Sequence, residues 1–141
     1  MANLFTLEVH TPYRLFFSDQ VEMVIAVLDD GELGICANHT PFTAPVRTGV
    51  LKIKDKTGLW RETFTTEGII EVMGNKTILM VEAAEWPEEI DAERALASKY
   101  EAVETLKTRI LKFETVIAKA QLRRAEMRLK VFERGKAAKR E

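Results

Sequence analysis

The sequence predicts an α+β protein: an N-terminal antiparallel β-sandwich followed by a C-terminal helical segment. Two observations carry this. From Glu88 to Arg134 the chain contains neither glycine nor proline, whereas the residues before it are punctuated by both throughout. Before that break the apolar residues alternate in short runs between turn residues; after it they recur at helical spacing. The change falls at Trp86-Pro87, so residues 1–86 read as a β-sandwich domain and 87–141 as a helical domain.

The strands follow in order. Phe5, Leu7 and Val9 alternate with Thr6, Glu8 and His10, as a half-buried strand requires. Val21, Met23, Ile25 and Val27 share one parity, but Val24, Ala26 and Leu28 are apolar too, which suggests a strand covered on both faces. Asp29-Asp30-Gly31 turns the chain. Leu51 and Ile53 alternate with Lys52 and Lys54 before the turn Asp55-Lys56-Thr57-Gly58. Trp60, Glu62 and Phe64 lead through Glu67-Gly68 to Ile69–Met73, and Gly74-Asn75 precedes Thr77–Val81. About eight to ten short strands with no helical stretch between them argue for a sandwich or flattened barrel. Pro12, Pro41 and Pro45 belong at edges or in loops, since proline cannot donate to a central ladder.

Asp91 is placed to cap the helical segment, and Glu88, Glu89 and Glu93 suit the positive end of the helix dipole. Apolar residues recur at Leu96, Tyr100, Val103, Leu106, Ile110, Phe113, Ile117 and Ala120, resuming at Met127 and Val131. This is a seam expected to pack along another helix or a sheet. The pattern slightly favours one long helix over two but does not choose between them. A turn near Leu106 to Glu114 has no glycine or proline to mark it; Thr108 and Thr115-Val116-Ile117 are the only weak places.

The net charge of −1 conceals a polarity. Residues 1–98 hold 8 basic and 16 acidic side chains, and residues 99–141 hold 13 basic and 6 acidic. A basic arm is attracted to acidic surfaces over a range that salt shortens. Nucleic acid, anionic lipid, nucleotide phosphates and an acidic protein patch all qualify. No apolar run is long enough to span a bilayer. The N-terminus lacks the basic flank and apolar stretch of a signal peptide. The single Cys36 excludes an internal disulfide and makes cytosolic residence the default.

Little points to catalysis. His10 belongs at a strand edge and His39 in the loop Asn38-His39-Thr40-Pro41, both structural. Cys36, beside Ile35, reads as a small core residue. Phosphate-loop, dinucleotide-binding and nucleophile-elbow motifs are missing, as is any metal-ligand spacing. No catalytic residue or metal site is expected.

Gly31-Glu32-Leu33-Gly34-Ile35 followed by His39-Thr40-Pro41-Phe42 resembles the Gly-Glu-Leu-Gly-Ile…His-x-Pro-Leu signature of the epsilon subunit of bacterial F-type ATP synthases. Val21-Glu22-Met23-Val24, Glu67-Gly68-Ile69-Ile70-Glu71-Val72 and Ala83-Ala84-Glu85 fit the same family, and the likeness covers essentially the whole chain. The resemblance implies a C-terminal two-helix hairpin after the sandwich. It implies partners in the gamma subunit, the ring of c subunits and the alpha/beta catalytic subunits, with no nucleic acid. It also implies a peripheral place on the cytoplasmic side of the bacterial inner membrane. The family role is non-catalytic: it couples the catalytic head to the ion-driven ring and restrains ATP hydrolysis through mobile helices, folded down or extended. Lys119, Arg123, Arg124, Arg128 and Lys130 are the residues expected to meet an acidic loop of the catalytic subunits.

Some members of that family bind ATP between the two helices through Ile/Leu-Asp-x-x-Arg-Ala and arginines of the second helix. Ile90-Asp91-Ala92-Glu93-Arg94-Ala95 matches the motif in full. Arg124 and Arg128 correspond to the second-helix arginines and Glu85 to an acidic residue at the junction. Arginine forks suit phosphate oxygens. ATP is thus expected as a regulatory ligand and no cofactor as a requirement. One departure is Glu101, where ATP-binding members have a further arginine. Two other readings stand beside this one: a sandwich adaptor with a basic coiled-coil arm that binds nucleic acid, and a free-standing nucleotide sensor.

Overall fold

The computed structural model describes residues 3–108 and 111–139. It divides into two compact units that meet between Ala84 and Glu85.

The first unit is built from strands. β1 (Phe5–His10) buries Phe5, Leu7 and Val9 and leaves the residues between them half-buried. It is followed by β2 (Leu15–Leu28), β3 (Gly31–Cys36), β4 (His39–Val46), β5 (Gly49–Asp55), β6 (Trp60–Thr65), β7 (Gly68–Gly74) and β8 (Lys76–Val81). The two-residue β9 (Ala84–Glu85) straddles the boundary, giving nine strands among the described residues, within the expected range. The order across the sheet is β4-β7-β8-β1-β2-β5-β6, with β3 also on β2. The pairings β1–β2, β2–β3, β2–β5, β4–β7, β5–β6 and β7–β8 are antiparallel. β1 and β8 run parallel, which their separation in the chain permits.

The long β2 serves two layers. Its first half, to Val21, pairs with β1; its second half pairs with β5 and β3. The core lies between the layers. Phe5, Leu7, Val9, Ile70, Val72 and Leu79 come from one, and Val24, Ile35, Leu51, Ile53 and Phe64 from the other. The strand expected to be covered on both faces is covered unequally, one face buried and the other half-buried, and the buried parity changes along it. Val21 is buried, but Val24 and Ala26 then take over while Met23, Ile25 and Val27 are half-buried. The register shift between Val21 and Met23 opposite β5 reverses which side chains point inward.

Two loop and core expectations are corrected. Cys36 is exposed rather than part of the core: β3 turns Ile35 inward, so its neighbour faces out. His39 opens β4 rather than lying in a loop, its ring Nδ1 2.9 Å from the Thr40 carbonyl. The turn is taken one residue earlier by Asn38, at φ 61°. Pro41 and Pro45 do sit on an edge, because β4 ends the strand order, and Pro12 lies in the turn closed by Thr11 N–H donating to the Arg14 carbonyl at 3.0 Å.

The second unit begins with a 3₁₀ turn, Pro87–Glu89, where the Trp86 N–H donates to Glu89 Oε1 at 2.9 Å. α1 (Ala92–Thr108) and α2 (Lys112–Lys139) follow. Asp91 caps α1 as expected: its Oδ1 accepts the Arg94 N–H at 3.1 Å. The helices pack as an antiparallel pair, with Gln121 Nε2 donating to both the carbonyl and Oγ of Ser98 at 3.1 Å. The slight preference of the pattern for one long helix is thereby corrected. α1 stops at Thr108, one of the weak places, where the threonine Oγ1 donates back to the Glu104 carbonyl at 3.1 Å.

Among the described residues, those buried in this pair are four alanines and, from the apolar seam, Val131. Ala95 and Ala102 of α1, and Ala118 and Ala125 of α2, are all buried. Of the seam, Leu96, Tyr100, Phe113, Ile117 and Ala120 are exposed, and Val103, Leu106 and Met127 half-buried. Val131 is buried, and Ile110 lies outside the described residues. Small side chains let two helix backbones approach closely, and that approach turns the bulkier row away from the contact.

Candidate functional site

The second unit contains a cavity of ≈ 350 Å³ lined by Glu85, Glu89, Asp91, Arg94, Ala95, Ser98 and Arg128. Its construction follows from helix periodicity. Asp91, Arg94, Ala95 and Ser98 are spaced by three, four and seven residues, so the start of α1 presents them on one side. α2 supplies Arg128, and the segment leading into α1 supplies Glu85 and Glu89.

Arg128 is held firmly. Its Nε lies 3.2 Å from both Glu85 carboxylate oxygens and its Nη2 3.0 Å from Oε2, a two-pronged ion pair with both side chains largely covered. Asp91 spends one carboxylate oxygen on the helix cap. The wall therefore carries three carboxylates and two guanidiniums, and Arg94 contributes an exposed cation at the rim.

Glu85, Asp91, Arg94, Ala95 and Arg128, named from the sequence, thus lie around one space. Ile90 and Arg124 are not among its lining residues: Ile90 is buried and Arg124 half-buried on α2. Glu101 is exposed on α1 and also outside the lining. Sequence reasoning missed Glu89 and Ser98, although Ser98 stands four residues after Arg94 and so shares its face.

The five basic residues named for an inhibitory contact separate into two groups. Lys119, Arg123 and Lys130 are exposed along one stripe of α2, while Arg124 and Arg128 are half-buried. The hairpin also exposes Tyr100 at 63%, Phe113 at 61% and Ile117 at 62%.

Chemistry elsewhere is modest. In the sandwich, Glu8 is held below the usual carboxylate range by the His10 ring, 2.8 Å away, and by Lys76 at 3.1 Å. Asp55 is lowered by bonds from Thr57 and the Leu59 N–H in its turn. Among the described residues no group of three or more His, Cys, Asp or Glu is placed to hold a metal ion, and no helix is long and apolar enough to cross a membrane.

Residues 4–87 match the family described as the β-sandwich domain of the ATP synthase delta/epsilon chain. Residues 88–133 match its long α-helix domain. This chain belongs to the ATP synthase delta/epsilon family. Among its curated relatives, the ATP synthase epsilon chain of Caldicellulosiruptor bescii is 46% identical over 94% of this chain and 96% of its own. That of Caldanaerobacter subterraneus subsp. tengcongensis is 45% identical over 93% and 95%. Among solved structures, the Euglena gracilis mitochondrial ATP synthase (OSCP/F1/c-ring, rotational state 1) contains a chain that matches with a TM-score of 0.69 at 20% identity, covering 96% of this chain and 81% of that one. A chain of the Tetrahymena thermophila central stalk and c-ring matches with 0.61 at 17% identity, covering 93% and 98%. These two share the fold. Membership in the delta/epsilon family displaces the nucleic-acid adaptor reading of the basic arm.

Proposed function

We propose that this chain is the central-stalk subunit of a rotary ATP synthase, with no active site of its own. In this reading the sandwich binds the gamma subunit and the c-subunit ring, and so couples the catalytic alpha/beta head to the ion-driven ring. The chain sits peripherally on the cytoplasmic side of the bacterial cell membrane, held there by its partners. Its helical hairpin restrains ATP hydrolysis by leaving its folded form and extending toward the head.

The observation that carries the regulatory part is the exposed seam. Tyr100, Phe113 and Ile117 lie outside the alanine contact of the folded hairpin, and Lys119, Arg123 and Lys130 form an exposed basic stripe elsewhere on α2. Such apolar area gains roughly 25 cal/mol per Å² when covered. A partner helix can therefore compete with the hairpin's own small contact, and the stripe would meet an acidic loop of the catalytic subunits. Two packings of similar free energy are what a switch requires. ATP in the Asp91–Arg128 cavity would stabilise the folded hairpin by RT ln(1 + [ATP]/Kd).

Deleting residues 88–141 and assembling the truncated chain into the enzyme tests the restraint. ATP hydrolysis should rise. Hydrolysis unchanged, with assembly intact, overturns the inhibitory role and leaves the coupling role standing.

A further inference from the structure

The cavity is already occupied, at its most phosphate-like position, by the protein's own carboxylate. Arg128 presents its Nε and Nη2 as a fork, and Glu85 takes both prongs. A phosphate would use that same edge. Neither partner is spare. The pair is largely withdrawn from water, so breaking it without a replacement leaves two poorly solvated charges. A phosphate group that displaces the carboxylate supplies the replacement for Arg128 but leaves Glu85 beside a polyanion. Glu89 and Asp91 line the same space and sharpen that repulsion.

We propose that Glu85 is an internal competitor for the phosphate seat on Arg128. It satisfies the arginine when the cavity is empty and lowers the affinity of the cavity for phosphoanions. This rests on the reading of the cavity as a nucleotide site, and assigns Glu85 the opposite of a ligand-gripping role. Polyphosphate and carboxylate exclude one another on one guanidinium, so occupancy of the cavity is read out by the segment that bears Glu85, immediately before α1.

Calorimetric titration of the full chain with ATP, inorganic triphosphate and adenosine tests this in wild type, Glu85→Gln and Arg128→Ala. Glu85→Gln keeps the side-chain shape, removes one negative charge and should bind ATP and triphosphate about tenfold more tightly, a change of about 1.4 kcal/mol. Adenosine should bind both proteins equally. Arg128→Ala should lose most phosphate affinity. In wild type, the ¹⁵N resonance of Arg128 Nε should move on adding triphosphate, a measurement that needs no variant to fold. Equal or weaker binding of ATP and triphosphate by Glu85→Gln, in a protein with unchanged circular dichroism, overturns the competition alone. No binding of any probe by any of the three proteins overturns both it and the nucleotide-site reading.

Discussion

At the scale of single residues, Gly68 shows how one missing Cβ permits a pairing. It begins β7 opposite Val81 of β8, and a Cβ built there would lie 1.9 Å from the Met80 carbonyl oxygen. Backbone cannot rotate away as a side-chain tip can. Gly68→Ala should therefore cost about 3 kcal/mol, at the upper end of overpacking, seen as a lower urea midpoint. An unchanged midpoint would mean that β7 and β8 separate freely at that end. Asp55 makes a different point. Its Oδ1 accepts the Thr57 hydroxyl, the Thr57 N–H at 2.9 Å and the Leu59 N–H at 3.0 Å, and folding lowers its pKa from the ordinary 3.8. Its contribution is therefore fully present above 3.8 and lost as the pH falls through the lowered folded value. Asp55→Asn should be less stable than wild type at neutral pH and flatten the acid side of the stability profile. Parallel wild-type and variant profiles from pH 7 to pH 2 would remove the carboxylate from that account.

At the scale of elements, Gly135 lies inside α2, where propensity alone predicts that alanine would gain about 1 kcal/mol. Its position predicts the reverse. An added Cβ would lie 2.6 Å from Cβ of Pro87, so the glycine is a notch that seats the 3₁₀ turn on the helix. The steric term should win, with Gly135→Ala lowering the unfolding midpoint followed by circular dichroism at 222 nm. A stabilised variant would show that the turn yields at no cost. The notch was not visible in the sequence, because nothing local tells a packing glycine from a careless one. Other elements were visible for physical reasons. Alternation marked β1, glycine and aspartate marked the turns, and the Asp91 carboxylate marked the start of α1. The inversion of parity in β2 was not legible, since a bulge depends on the partner strand. The hairpin turn was hidden by its lack of glycine or proline. Yet its signal existed in Ala95 and Ala102, seven apart, mirrored by Ala118 and Ala125, also seven apart. Small residues at that spacing mark close helix contact, while the eye follows the larger Leu96–Ile117 seam. The cavity was half legible: the Asp91–Ala95 motif named one wall. The carboxylate that closes on Arg128 comes from 43 residues earlier, and only folding brings it there.

At the scale of the whole molecule, the two units differ in what they bury. The sandwich closes over Phe5, Leu7, Ile35, Ile53, Phe64, Ile70 and Leu79. The helical unit closes over Ile90, four alanines and Val131. An alanine methyl removes far less apolar area than a leucine or phenylalanine side chain, and the hydrophobic contribution scales with that area. Each exposed seam residue is also one that the folded hairpin has failed to use. Opening free energies across a native protein follow such local differences in buried contact. The helices should therefore open well before the strands. Hydrogen exchange under native conditions should show amides of α1 and α2 exchanging faster than those of β1, β5 and β7, by at least about a hundredfold, or about 2.7 kcal/mol. On heating, the helical signal should fall before the sandwich unfolds. Equal protection in both units, or one coincident transition, would mean that the arm is no easier to open than its anchor. If the opening cost is low, a ligand or partner of ordinary affinity is enough to shift it, since a ligand shifts an equilibrium only by its differential affinity for the two states.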